Sequence, residues 1–271
     1  MLSLMNIMPN KIKNGKPNLV IIHSFPTNST ILAGLYDYLA DFFIVYPIDL
    51  PGFTSGIKPL EVVNLESYAN YLKREITRLE IQDYWVGGVS FGFLVANMMG
   101  THKHCRGVLA IEPYLGSENL KIPLFRKLFY VLSIKIIEVG NAFYRVWHNP
   151  FIQKYLLMGS SARFDKKIKK ILDVMDARTF FETAKILLTS HETDCKLHEI
   201  PYILVINKGD GSIRADRIIS RFALDVDDLL IAHTTAEHYP ETITKEYFEK
   251  RIDKKEVDKI LEFVQKYNSD E

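Results

Sequence analysis

The chain has 271 residues, with 34 Lys and Arg against 33 Asp and Glu, for a formal charge of +1. A balance this close to zero supplies no field to draw in nucleic acid or an anionic membrane surface, so function is expected in a localised site. With 47% hydrophobic and 25% charged residues the composition is globular, which sets aside disordered, collagen-like and coiled-coil readings. Two cysteines, Cys105 and Cys195, are too few for a disulfide framework and lack zinc-knuckle spacing, so a reducing, cytoplasmic setting is expected. The opening MLSLMNIMPNKIK lacks a basic start followed by a long apolar run and does not read as a secretory signal.

In chain order, Asn18 to His23 (NLVIIH) is short, β-branched and uncharged, the pattern of a strand buried on both faces. Ile31 to Leu39 has helical spacing, and Phe42 to Asp49 reads as the next strand. After the turn at Pro51 and Gly52, apolar and aromatic residues at Leu65, Tyr68, Tyr71, Leu72, Ile76 and Leu79 form one stripe of a helix. From Tyr84 to His102 no Lys, Arg, Asp or Glu occurs, and the stretch imitates a membrane span. Gly87, Gly88, Ser90, Gly92 and Asn97 break that reading in favour of a strand at Trp85 to Val89, a tight turn, and a helix at Phe91 to Met99. A further strand follows at Gly107 to Ile111. Strand and helix alternating with short connections predict a parallel sheet covered on both faces.

The pattern changes after Pro113. Residues 114–199 read as helix after helix, with an aromatic and aliphatic run from Ile122 to Trp147 and a lysine run at Lys166, Lys167, Lys169 and Lys170. Pro201 to Asn207 (PYILVIN) restores the buried-strand pattern, Asp228 to His233 gives another strand, and a helix from Glu256 to Tyr267 carries Val257, Ile260, Leu261 and Val264 on its apolar face. Residues 1–113 and 200–271 therefore read as one core domain, and 114–199 as a helical insertion too long for an ordinary connection, of the kind that serves as a cap or lid.

Gly88-Val89-Ser90-Phe91-Gly92 is a G-x-S-x-G between predicted strand and predicted helix. Such a turn is sharp and strained; glycines two before and two after the serine let strand and helix approach while the hydroxyl points outward. A serine hydroxyl needs a general base held by a third group. Asp210, in a Gly-flanked loop at the carboxyl end of a predicted strand, and His238, ahead of the last helix, follow Ser90 in an order that suits this chemistry. On turn chemistry alone Asp210-Gly211 is a turn, and a lone loop histidine is a surface residue. Glu112, at the end of the Gly107 to Ile111 strand, is a rival acid, and His233 a rival histidine whose place at a strand tip suits an edge residue better. His102, His104 and Cys105 read as the end of a helix, where histidine and lysine meet the negative end of the dipole, and no metal is expected there. The lysine run reads as a solvated helix face.

These pieces together resemble the α/β-hydrolase fold superfamily, in its serine-nucleophile, cap-bearing branch of esterases, lipases and carbon–carbon bond hydrolases. The matching residues are His23-Ser24-Phe25-Pro26, where the family usually shows His-Gly-x-Pro, then Asp49-Leu50-Pro51-Gly52-Phe53, the elbow at Ser90, Asp210 and His238. The resemblance implies an α/β fold with an inserted helical cap, Ser90 as nucleophile, His238 as base, Asp210 as the acid that orients it, and the Phe25 and Phe91 N–H groups as an oxyanion hole. Ser24 replaces the family's glycine in the loop that carries Phe25.

The function expected is hydrolysis of a small to medium ester through an acyl-enzyme, without cofactor or metal. A C–C bond hydrolase or acyltransferase on the same residues is one alternative, and a catalytically silent binding protein is another. The partner expected is a small molecule with an apolar acyl or aromatic part, and neither nucleic acid nor a membrane span is anticipated. The cap aromatics read more simply as the cap's own core.

Overall fold

A computed structural model of the chain describes residues 15–121, 170–238, 240 and 243–268, with the isolated positions 128 and 132. The opening MLSLMNIMPNKIK, most of the Ile122 to Trp147 run and Lys166, Lys167 and Lys169 lie outside the described residues. Among the described residues six strands form one sheet: β1 (Asn18–Ile22), β2 (Ile44–Ile48), β3 (Tyr84–Val89), β4 (Cys105–Ile111), β5 (Tyr202–Ile206) and β6 (Leu229–His233), in the order β2-β1-β3-β4-β5-β6. Every neighbouring pair is parallel.

A strand buried on both faces must be apolar at odd and even positions alike. In β1, Val20 and Ile22 face one hydrophobic layer while Leu19 and Ile21 face the other. The same split places Val86 opposite Trp85, Val108 and Ala110 opposite Leu109, and Leu204 and Ile206 opposite Ile203 and Val205. The first layer is completed by helices α2 (Leu65–Arg78), α3 (Phe91–Asn97), α4 (Ala177–Thr189) and α5 (Ala215–Asp225); the second by α1 (Ala33–Leu39), α6 (Lys245–Arg251) and α7 (Lys254–Asn268). In α2 the predicted stripe buries Tyr68, Leu72 and Ile76, and the Asn64 side chain caps the first turn by accepting the Ser67 N–H at 2.7 Å. The Trp85 indole N–H, from the second layer, donates to Asn268 Oδ1 at 3.2 Å and so ties α7 to the centre of the sheet.

The uncharged stretch from Tyr84 resolves into β3, a one-residue turn and α3, and no helix among the described residues is long and apolar enough to cross a membrane. One local expectation is corrected. Helix α3 ends at Asn97, so His102 and His104 lie in the turn beyond it and Cys105 opens β4; the His102 ring meets the Tyr84 hydroxyl at 2.9 Å.

Of the expected insertion, residues 114–121 and 170–199 are described in continuous runs. They hold to the core at both ends. Lys121 N–H donates to Ser212 O at 2.9 Å and Leu120 bridges Ile213, while α4 docks on the loop after β2, with Asp176 N–H donating to Gly52 O at 2.8 Å. Gly52 has a φ of 83°, and a Cβ there would meet Thr179 Oγ1 at 2.1 Å, so contact with α4 requires glycine.

Two further close approaches fix the turn after β3. A Cβ on Gly88 would lie 2.4 Å from the Gly92 carbonyl carbon and the Phe93 nitrogen, and one on Gly92 would lie 2.4 Å from His23 O. Backbone on both sides cannot yield as a flexible side chain would. Gly92→Ala is therefore expected to destabilise the fold by at least about 3 kcal/mol, the upper range for overpacking. Thermal unfolding followed by circular dichroism checks this; a midpoint unchanged from wild type would show that β1 and α3 can separate freely.

Candidate active site

Ser90 is the hinge between β3 and α3. It has a φ of 51° and a ψ of −115°, a region that non-glycine residues enter only under constraint. The constraint is visible: Ser90 N–H donates to Ile111 O at 3.0 Å, and Ser90 O accepts from Phe93 N–H at 3.0 Å and Tyr114 N–H at 3.2 Å. Both neighbours of the elbow, the end of β4 and the first turn of α3, hold its backbone in place.

His238 comes from the loop after β6. That loop is pinned by Asn207, whose Nδ2 donates to Ala236 O at 2.9 Å, and by Tyr247, whose hydroxyl accepts the Glu237 N–H at 2.8 Å. The result places His238 Nε2 3.0 Å from Ser90 Oγ, across 148 residues of sequence. On the other side of the ring, Nδ1 lies 3.5 Å from Asp210 Oδ2. Asp210 sits in the loop after β5, where Gly209 N–H donates to Asn207 Oδ1 at 2.8 Å and the Asp210 Oδ1 accepts N–H bonds from Ser212 and from Ile213, the latter at 3.2 Å. Burial pushes the Asp210 carboxyl up, but the bond and charge of His238 and the two N–H donors outweigh it and hold the group below the usual carboxylate range. The sequence-predicted Ser90, His238 and Asp210 are thus brought together, with the two side chains of the ion pair 4% and 1% exposed.

Phe25 lies in the loop after β1, next to this group, and its ring packs against Phe91 at 6.4 Å, Phe53 at 6.3 Å and Phe180 of α4 at 5.0 Å between centroids. Neither the Phe25 nor the Phe91 N–H is taken by another hydrogen bond among the described residues. Ser24, where the resemblance expects glycine, is not at positive φ, so a side chain there meets no left-handed strain. Its hydroxyl instead bonds Thr27 Oγ1 at 2.8 Å and its carbonyl accepts the Thr27 N–H at 3.0 Å, which closes the loop as a turn.

His23 supports the same loop from beneath. It is fully buried, its Nε2 accepts the Leu50 N–H at 3.0 Å, and its Nδ1 bonds Ser24 O at 2.9 Å, which requires the neutral tautomer with hydrogen on Nδ1. Burial lowers its pKa, with the Asp49 carboxylate pulling the other way. Sequence reasoning saw His23 only as part of a motif and missed Asn207 altogether; the signal for Asn207 was its Asn-Lys-Gly turn sequence, which asks an Asn side chain to bond a backbone N–H two residues on. The α4 aromatic Phe180 was also missed, because nothing in its spacing distinguishes it from a core residue.

Of the rivals, His233 ends β6 exposed, with its N–H on Glu256 Oε2 at 3.0 Å and away from Ser90. Glu112 is brought in: Glu112, Asp210 and His238 each place an atom within 4.8 Å of the others. Two carboxylates and an imidazole invite the question of a cation. Glu112 and Asp210 are buried and His238 is half-buried, with Asp210 Oδ2 facing His238 Nδ1. Facing Ser90 on one nitrogen and Asp210 on the other, the histidine is arranged for proton transfer.

No protein-family model matches the sequence, and no curated protein sequence matches it. Solved structures do. A hydrolase from Oleispira antarctica is 16% identical, with 93% of this chain and 92% of that one covered at a TM-score of 0.66. A thermophilic esterase from Thermogutta terrifontis, malate bound, is 16% identical over 93% and 90% at a TM-score of 0.63. A mutant of an epoxide hydrolase from Bacillus megaterium is 15% identical over 92% and 95% at 0.59. The likeness spans nearly the whole of each chain, and its six parallel strands, with Ser90 at the turn between β3 and α3, give this protein the α/β-hydrolase fold.

Proposed function

We propose that the protein is a serine hydrolase acting on a small to medium ester, with Ser90 as nucleophile, His238 as base and Asp210 as the acid that orients the imidazole. The observation that carries this reading is the 3.0 Å contact between Ser90 Oγ and His238 Nε2 at a strained strand-to-helix turn. The esterase and hydrolase names of structures with the same fold agree with it. In the reaction, His238 Nε2 takes the hydroxyl proton as Ser90 Oγ bonds to the ester carbonyl carbon. The negative charge that develops on the carbonyl oxygen is met by the N–H groups of Phe25 and Phe91, each worth about 3 kcal/mol of barrier. Collapse breaks the bond to the alcohol, which leaves with the proton from His238, and water then repeats the sequence on the acyl-enzyme.

Residues 114–199 act as the cap in this reading. Phe180, from the described part of the segment, stacks on Phe25 and gives the site an aromatic wall, which suits a substrate with an apolar acyl or aromatic part. Labelling with a fluorophosphonate probe tests the proposal: wild type is expected to become covalently modified at Ser90 and to turn over p-nitrophenyl esters. A folded sample that does not label would remove the hydrolase reading, and labelling without ester turnover would redirect the search to C–C hydrolysis or acyl transfer.

A further inference from the structure

The chemistry above uses one carboxylate, yet two stand beside the histidine. Glu112 directly follows β4 at a φ of 44°, an uncommon backbone state for a residue with a side chain, and it is 5% exposed. Its Oε1 accepts the Asn207 N–H at 2.6 Å, while Oε2 is buried without a partner. Asp210 is anchored on one oxygen and directed by the other: Oδ1 accepts two backbone N–H groups, and Oδ2 faces His238 Nδ1 at 3.5 Å. Two acceptor-only carboxylates with oxygens within 4.8 Å of each other in a dry interior repel, and Glu112 Oε2 has no donor. A single proton between them removes both faults.

We propose that Glu112 is a positioning residue that stays protonated and donates its carboxyl hydrogen to Asp210, holding the Asp210 carboxylate toward His238. The inference rests on the assignment of Ser90, His238 and Asp210 made above. The titratable groups facing Glu112 are Asp210, from the loop after β5, and His238, from the loop after β6. Lys121, beside this cluster, donates to the backbone carbonyl of Asp210 and not to its carboxylate. Burial, with the Asp210 charge adding to it and the Asn207 N–H opposing, pushes the Glu112 carboxyl up to about 8. Glu112 is therefore neutral at pH 7 and ionises in mildly alkaline solution, where it turns from donor to a second negative charge against Asp210.

Glu112 also reaches the histidine loop through Asn207, which bonds Glu112 by its N–H and Ala236 by its side chain. A purely structural role would stop at that anchor, so the test must read the proton. Glu112→Ala is expected to lower kcat about 10²-fold with KM little changed, the scale of a small misplacement of a catalytic group. Glu112→Gln keeps both an acceptor and a donor and is expected to restore most of that loss. Wild-type kcat is expected to fall above about pH 8, as Glu112 ionises, and Glu112→Gln to lack that fall.

The direct readout is infrared. A wild type minus Glu112→Gln difference spectrum at pH 7 is expected to contain the carbonyl stretch of a protonated carboxylic acid. Absence of that band, or an alkaline limb unchanged in Glu112→Gln, would overturn the proposal. If Glu112→Ala fails to fold, the Gln variant and the spectrum still decide it. The band needs no turnover, so it reads Glu112 even where an active Ser90→Ala variant has already refuted the assignment on which the inference rests.

Discussion

Ser90→Ala is expected to lower turnover of a p-nitrophenyl ester by about 10⁶-fold, the scale found when a serine nucleophile is deleted from a preorganised site. The size of the effect follows from what alanine leaves intact. The Phe25 and Phe91 N–H groups proposed as oxyanion donors and the apolar wall remain, so KM is expected to change little while kcat is expected to collapse to what such donors alone supply. Stability behaves differently. Alanine loses the bond between Ser90 Oγ and His238 Nε2, worth about 1 kcal/mol net, but keeps the strain of a φ of 51°. Ser90→Gly relieves that strain and is expected to unfold at a higher temperature than Ser90→Ala while being as inactive. Steady-state kinetics and thermal unfolding on the two variants check both halves; an alanine variant within tenfold of wild-type kcat would exclude Ser90 as the nucleophile.

Asp210→Asn is expected to cost about 10⁴-fold in kcat with substrate binding nearly preserved. The amide has the carboxylate's shape but can present N–H to His238 Nδ1, which would leave the imaidazole hydrogen on the nitrogen that faces Ser90 and deprive the serine of its base. Stability adds a pH signature. The native Asp210 carboxyl is held below its usual range by His238 and two backbone N–H groups once the opposing effect of burial is overcome, so the folded state binds that proton more weakly than the unfolded chain. The contribution is present above the usual carboxylate range and is lost as pH falls through the native value. The stability gap between wild type and Asp210→Asn is therefore expected to be widest near neutrality and to narrow in acid, as measured by urea unfolding at a series of pH values. A gap that is constant with pH, together with an unaffected kcat, would count against the acid role.

Much of the sheet was legible because burial on both faces leaves one kind of sequence. β1, β3 and β5 are short uncharged runs dominated by apolar and aromatic residues, and their predicted and observed limits differ by at most one residue at each end. Helix α2 was equally plain, since its stripe and its Asn64 cap are both local signals. Helices α5 and α6 were not read. α5 has no side-chain cap at Arg214, although Ala215, Ile218 and Phe222 form a buried helical stripe, and α6 has only seven residues with Phe248 alone buried, too few for a periodic pattern to declare itself. At the site, the order of Ser90, Asp210 and His238 was visible, but their approach was not, because it depends on the strand order that brings β3, β5 and β6 to one end of the sheet. Glu112 was seen as a competitor to Asp210; that both carboxyl groups occupy the same cluster is a fact of packing, which the sequence carries in no local pattern.

The strand order has one more consequence. Among the described residues β6 is the last strand of the sheet, paired on one side only, and the loop that follows it holds His238 against a serine 148 residues away in the chain. A contact between residues so distant in sequence carries a loop-closure entropy that must be met before the contact can repay it. An edge strand is also where local opening costs less than global unfolding. The contact between His238 and Ser90 is therefore expected to part with the sheet margin, before the whole domain unfolds.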